Sequence, residues 1–251
     1  MQRRTMLAAV ALTLAFAAGV LSAGACRAAD GAPPALAKGD RIVFLGDSIT
    51  QGGGGAKGYI TLVKNTLDEK CRDLGIEVFN AGISGNKVPD LQRRLQKDVL
   101  DRKPTIVFIY IGINDVWHWN KNPQGEMVGG TTKDKYEAGL KEIIGKIKAA
   151  GARVILCTPS VIGEKGDGSN ERDAMLDEYS DISRKVAAET GTQLLDLRKA
   201  FLAYERISNK QNKHAGVLTG DGVHLNDAGN KFVATGMLKA LGIDAEPVAS
   251  K

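Results

Sequence analysis

Phe44-Leu45-Gly46-Asp47-Ser48-Ile49-Thr50-Gln51-Gly52 is the junction from which the architecture can be read. Ahead of it, Arg41-Ile42-Val43 begins an apolar, β-branched run that is too short for a helix and bounded by turn residues, the pattern of a buried strand. Behind it, Gly53-Gly54-Gly55 completes a run of four glycines, and a helix-like pattern starts near Tyr59. A serine that leaves the carboxyl end of a buried strand for a loop and a helix stands where open α/β sheets bind ligands. Taken alone, Gly-Asp-Ser is equally an ordinary turn, since Asp and Ser are common turn residues. The stretches downstream decide between the two.

Strand and helix patterns alternate to the end of the chain. Short apolar runs predict strands at about 41–46, 76–80, 105–111, 152–157 and 192–196, with helical patterns near 58–74, 88–101, 133–150, 172–190 and 226–241. Ile106-Val107-Phe108-Ile109-Tyr110-Ile111 and Val154-Ile155-Leu156 are continuous apolar runs, as expected of strands covered on both faces. Gly151, Gly191 and Gly242 follow three of the helices, where a left-handed C-terminal cap favours glycine. The alternation predicts an α/β fold: a five-stranded parallel sheet with right-handed crossovers and helices on both faces. Two long loops, 112–132 and 158–171, follow strands and are expected to make substrate contacts.

The 251 residues are 43% hydrophobic and 25% charged, which suits one globular domain with an ample core. The formal net charge is +5, scattered rather than blocked, so no nucleic-acid partner is indicated. Residues 1–29 read as an export signal: Arg3 and Arg4 are basic, Met6 to Leu21 is almost wholly apolar, and Ala23-Gly24-Ala25 offers a small-residue cleavage site before Cys26. A membrane anchor is the competing reading, but the apolar core is slightly short to span and the cleavage pattern follows at once. Ala23-Gly24-Ala25-Cys26 also resembles a bacterial lipobox, and Arg3-Arg4 a twin-arginine signal. Residues 30–39, with Pro33-Pro34, read as a linker into a domain at 40–245. The expected location is periplasmic or secreted, with no stable membrane insertion after signal removal. Cys71 and Cys157 then remain as buried thiols and make neither a zinc pattern nor a disulfide scaffold.

Three further stretches lie at strand ends or before the last helix. They are Asn80-Ala81-Gly82-Ile83-Ser84-Gly85-Asn86, Gly112-Ile113-Asn114-Asp115 and Asp221-Gly222-Val223-His224-Leu225-Asn226. Singly, each has a plain structural reading: a glycine turn, an Asx turn, and a helix cap at Asn226 or Asp227. Together they can assemble a hydrolase. Ser48 needs a base, because an unassisted hydroxyl is a poor nucleophile. His224 can serve, and Asp221 three residues earlier can hold its ring in one tautomer. The N–H groups of Ser48 and Gly85 and the amide of Asn114 can converge on a developing oxyanion.

These residues resemble the GDSL/SGNH hydrolase superfamily. Gly46-Asp47-Ser48-Ile49 matches its first block, Gly85 in Ile83-Ser84-Gly85-Asn86 the second, Gly112-Ile113-Asn114-Asp115 the third and Asp221-Gly222-Val223-His224 the fifth. The resemblance covers nearly the whole chain after the signal. It implies a flavodoxin-like three-layer α/β/α fold of strand order 2-1-3-4-5, with Ser48 as nucleophile, His224 as base, Asp221 as its partner, and Gly85 and Asn114 as oxyanion donors. It implies a serine esterase without metal or organic cofactor, acting on a small-molecule or polysaccharide ester. Short acyl groups, such as acetyl groups on polysaccharides, are favoured over a lysophospholipid or a thioester.

Trp117 and Trp119, on the long loop after Asn114, suit stacking on a sugar ring or packing on an acyl chain, or else plug the loop. His118 and His214 have no companion carboxylate at a telling spacing and are read as non-catalytic, and Asp196 as a loop anchor. Gly52-Gly53-Gly54-Gly55 is an unusual insertion beside Ser48 that lacks the Gly-Lys-Ser/Thr ending of a phosphate loop. Two rivals remain: a metal-dependent phosphoesterase using Asp47, Asn114, Asp115 and His224, and a non-enzymatic carbohydrate-binding module.

Overall fold

The five apolar runs pair as one all-parallel sheet. In the computed structural model, which describes residues 35–249, the strands are β1 (Arg41–Gly46), β2 (Glu77–Gly82), β3 (Ile106–Tyr110), β4 (Arg153–Cys157) and β5 (Gln193–Leu195). Their order is β2-β1-β3-β4-β5, as expected. The expected export segment at 1–29 and the first half of the expected linker lie outside the described residues. Leu36 is already buried in the core, so the chain is docked ahead of the expected boundary at residue 40.

The connecting helices are α1 (Ser48–Gly52), α2 (Tyr59–Lys70), α3 (Val88–Asp98), α4 (Ile113–Trp117), α5 (Lys133–Ala149), α6 (Asp173–Glu189), α7 (Leu197–Ser208) and α8 (Asp227–Ala240). The chain turns back after β1 to make β2 and then crosses to β3. Right-handed crossovers therefore put α2 on one face and α3, α5 and α6 on the other. Accordingly α2 packs against α8, while α3, α5 and α6 pack in a row. Every residue of β3 is buried, and Phe44 stacks on Phe108 with ring centroids 4.8 Å apart. The expected cap glycines Gly151, Gly191 and Gly242 have φ of +86°, +58° and +82°.

The register places the site. Gly46 of β1 is level with Gly82 of β2 and with Tyr110 of β3, and Tyr110 is level with Cys157 of β4. Four strands thus deliver their following loops to one end of the sheet at one height.

Three features depart from the sequence reading. The expected loop at 112–132 contains α4 and a small antiparallel pairing of Asn120–Lys121 with Met127–Val128. Helix α7 was not expected, because two of its buried positions are the charged Arg198 and Glu205, which break the apolar stripe of Leu197 and Phe201. The loop at 158–171, expected to meet substrate, turns inward: Thr158, Ser160, Val161, Ile162 and Glu164 are all buried.

Candidate active site

Asp47 follows β1 and caps α1 by accepting from the Ile49 N–H at 2.9 Å, which sets Ser48 as the first residue of that helix. From the other end of the chain, the loop before α8 brings His224 to it. Ser48 Oγ lies 2.9 Å from His224 Nε2, and His224 Nδ1 lies 2.7 Å from Asp221 Oδ2. The other Asp221 oxygen accepts from the Val223 and His224 N–H groups at 2.9 and 2.7 Å. A carboxylate only accepts, so the ring proton belongs on Nδ1 and Nε2 is left as the acceptor facing the serine. Burial works against charge on Asp221, but the His224 ring and these N–H groups outweigh it and hold its carboxyl below the ordinary range.

Loop 83–86 and Asn114 flank the serine. Gly85 takes the left-handed region, with φ +77°. Gln51 on α1 accepts from the Ser84 N–H at 2.7 Å, and the Ile83 N–H donates to Gly46 O at 3.2 Å. Asn114, buried in α4, donates one amide hydrogen to Asn86 O at 3.1 Å. An amide nitrogen carries a second hydrogen, which remains for a ligand.

Arg94 carried no signal in the sequence beyond an i,i+4 pairing with Asp98. Its guanidinium donates to Gly46 O at 2.8 Å, to Ala81 O at 2.8 Å and to Asn86 Oδ1 at 2.7 Å. It ties the ends of β1 and β2 to the 83–86 loop, a task suited to a rigid planar fork.

The tryptophans separate. Trp117, 40% exposed, sits edge-on to His224 with ring centroids 6.2 Å apart. Trp119 packs over Gly130, reaches the Tyr179 hydroxyl at 3.4 Å, and lines with Met127 and Met175 a separate cavity of about 230 Å³. His118 follows Trp117, and burial lowers its pKa. His214 offers its carbonyl to the Glu164 N–H. Asp196 caps α7 and pairs with Arg184 at 2.8 Å, anchoring its loop as expected.

The glycine run is a tight turn between α1 and α2. Its N–H groups are used within the turn, with Gly53 donating to Ile49, Gly54 to Gln51 and Gly55 to Gly52. A Cβ on Gly58 would strike the Gly53 carbonyl, so that residue is glycine for closeness rather than for its φ. No cradle for phosphate forms there.

The donor set of the metal rival is otherwise engaged. Asp47 caps α1, Asn114 holds Asn86, and Asp115 Oδ1 accepts from the Val88 N–H at 3.1 Å. Burial raises Asp47 to about 7, with the Ile49 N–H opposing and Asp115 adding to the shift, and burial raises Asp115 to about 6. Among the described residues, no group of three or more His, Cys, Asp or Glu is placed to hold a metal ion. Cys71 and Cys157 are buried, and burial pushes the Cys157 thiol far up. No helix among the described residues is long and apolar enough to cross a membrane.

Comparison with known proteins gives the family. The GDSL-like lipase/acylhydrolase family model matches residues 44–232. An acetylxylan esterase of Geobacillus stearothermophilus is 34% identical over 225 residues, 83% of this chain and 97% of that protein. The isoamyl acetate-hydrolyzing esterase 1 homolog of Rattus norvegicus is 29% identical over 209 residues, 77% of this chain and 78% of that one. The crystal structure of an acetyl xylan esterase, AlAXEase, superposes with a TM-score of 0.74 at 46% identity, covering 80% of this chain and 98% of its own. Sheet order, strand-end chemistry and sequence relatives agree: this chain belongs to the GDSL-like lipase/acylhydrolase family and is a serine carboxylic-ester hydrolase.

Proposed function

We propose that the protein is an exported esterase that removes short acyl groups, chiefly acetyl, from carbohydrates, with Ser48, His224 and Asp221 as its catalytic triad. The observation that carries the reading is the run of contacts from Ser48 Oγ to His224 Nε2 at 2.9 Å and from His224 Nδ1 to Asp221 at 2.7 Å. Ser48 Oγ attacks the ester carbonyl while His224 Nε2 takes its proton. Asp221 stabilises the imidazolium, and the oxyanion meets the N–H groups of Ser48 and Gly85 and the free amide hydrogen of Asn114. The intermediate collapses as His224 returns the proton to the leaving alcohol. Water, deprotonated by His224, then attacks the acyl-serine, and His224 returns that proton to Ser48 Oγ as the bond to it breaks and the acid leaves.

The acetyl preference is supported by relatives named as acetylxylan esterases and by the Trp117 indole beside His224, which suits a sugar ring. Trp119, two residues on, is proposed to hold the Trp117 loop in place through its packing on Gly130 and Tyr179. The basic and apolar character of residues 1–29, with Cys26 at its exit, supports export. The deciding experiment compares p-nitrophenyl acetate, butyrate and octanoate, acetylated xylooligosaccharides and lysophosphatidylcholine, each with a Ser48→Ala control. The expected result is the highest kcat/KM on acetyl esters and loss of turnover in the variant. A preference for octanoate or the lysolipid, or turnover that survives Ser48→Ala, overturns the reading.

A further inference from the structure

The loop that carries Asp221 and His224 has little regular structure of its own. From Asn209 to Asn226 it contains no helix or strand, only an isolated bridge between Thr219 and Leu225. Both functional side chains on it are about half exposed, so neither is held by packing on all sides. Even so, catalysis requires Nε2 to stay within hydrogen-bond reach of the serine. Something beneath the loop must fix it.

Glu164 lies there. It comes from the inward-turned 158–171 loop, its side chain is fully buried, and it is nearly 60 residues away in sequence. Its Oε2 accepts from the Val217 N–H at 2.7 Å, and its Oε1 accepts from the Leu218 and Thr219 N–H groups at 2.5 and 2.6 Å. Three consecutive backbone donors thus converge on one carboxylate. From these residues, short links run to the triad. Thr219 Oγ1 accepts from the Gly222 N–H at 3.0 Å, Gly222 O accepts from the Gly163 N–H at 2.7 Å, and the Gly220 N–H reaches His224 O at 2.8 Å.

We infer that Glu164 is a positioning residue of the ester hydrolysis: its carboxylate clamps residues 217–219 and so fixes the angle at which Asp221 and His224 address Ser48. The inference rests on the reading of His224 as base. Three N–H donors at one site call for an acceptor-only group, which among uncharged isosteres Gln is not, because its amide nitrogen would face a donor. The buried neighbour Glu205 is consistent with this division of roles. Neither of its oxygens has a partner among the described residues, so it takes none of the three N–H groups from Glu164.

The test is Glu164→Gln, read by steady-state kinetics on p-nitrophenyl acetate and by proton and nitrogen NMR of the imidazoles. The chain has only three histidines, so the His224 Nδ1–H signal can be assigned. The expected result is a folded variant with kcat lowered about 10- to 100-fold, the scale of a misplacement near 1 Å, and KM changed less than about twofold. The His224 Nδ1–H resonance is expected to shift or broaden. A folded variant with parental kcat and a parental imidazole spectrum overturns the inference, even if its melting temperature has dropped. Should Glu164→Gln not fold, hydrogen exchange in the parent decides. Protection of the Val217, Leu218 and Thr219 amides at the level of the central strands supports the clamp, and exchange at the rate of open loop overturns it. Absence of ester turnover by the parent would count against the proposed function alone, since the imidazole and exchange readouts need no substrate.

Discussion

Trp117 stands at 61° to His224, its ring centroid 6.2 Å from that of the histidine. The indole edges the imidazole without a hydrogen bond to it, so in the proposed reaction it is placed to touch substrate rather than to move protons. Trp117→Ala should raise KM for an acetylated xylooligosaccharide about 5- to 10-fold, the value of one aromatic contact near 1 kcal/mol. Its kcat on p-nitrophenyl acetate should stay within about threefold of the parent. Equal losses on both substrates would assign the ring to loop packing instead.

Ser48 and His224 act as a unit if the proton passes between them. Ser48→Ala and His224→Ala should each remove nearly all turnover, and the double variant should be little worse than either. Circular dichroism checks folding. Additive losses in the double variant would mean that the two residues act separately.

Asn114 has one amide hydrogen on Asn86 O and one to spare. Asn114→Ala is expected to lower kcat by about two to three orders of magnitude with little change in KM, because the charge it meets is complete only in the transition state. Asn114→Asp should be no better, since a carboxylate repels the oxyanion. Substantial turnover by a folded Asn114→Asp variant would remove Asn114 from the oxyanion hole.

Glu205 is buried beside Glu164, with Asp173 and Arg198 also facing it. Burial and the Glu164 charge push its carboxyl from 4.5 up to about 8, with Arg198 opposing. The folded state therefore keeps a proton that the unfolded chain releases. The resulting stability is complete below about pH 4.5 and is lost as pH rises toward 8. Glu205→Gln should remove this dependence, raising the melting temperature at pH 8 by about 3–8 °C and leaving it nearly unchanged at pH 4.5. The same gain at both pH values would exclude the titration as its cause.

Export is tested at the amino terminus. Mass spectrometry of protein from its native host should find a first residue between Cys26 and Asp30, and a diacylated Cys26 would identify a lipoprotein. An intact Met1 would rule out processing.

The centre of the sheet was legible because β1, β3 and β4 are buried on both faces, and such runs as 106–111 have no amphipathic ambiguity. The residues that meet at the site were legible because each sits just past a strand or just before a helix, where turn chemistry punctuates the sequence. Helix α7 was not, since Arg198 and Glu205 occupy its inner face and only the fold supplies partners for Arg198, in Asp173 and Asp177. Arg94 and Glu164 were illegible for a related reason. Both serve backbone groups distant in sequence, and a backbone acceptor or donor leaves no residue type to recognise. Short helices such as α1 and α4 fall below the length at which a 3.6-residue period can be counted.

The half-exposed setting of Asp221 and His224, at 54% and 43% of their side chains, bears on how the proposed substrate would arrive. Under the proposed function, the chemistry sits on an open ledge rather than at the bottom of a tunnel. An ester hanging from the middle of a long polymer can be presented sideways, with the chain continuing into solvent in both directions, and no free end has to be threaded in.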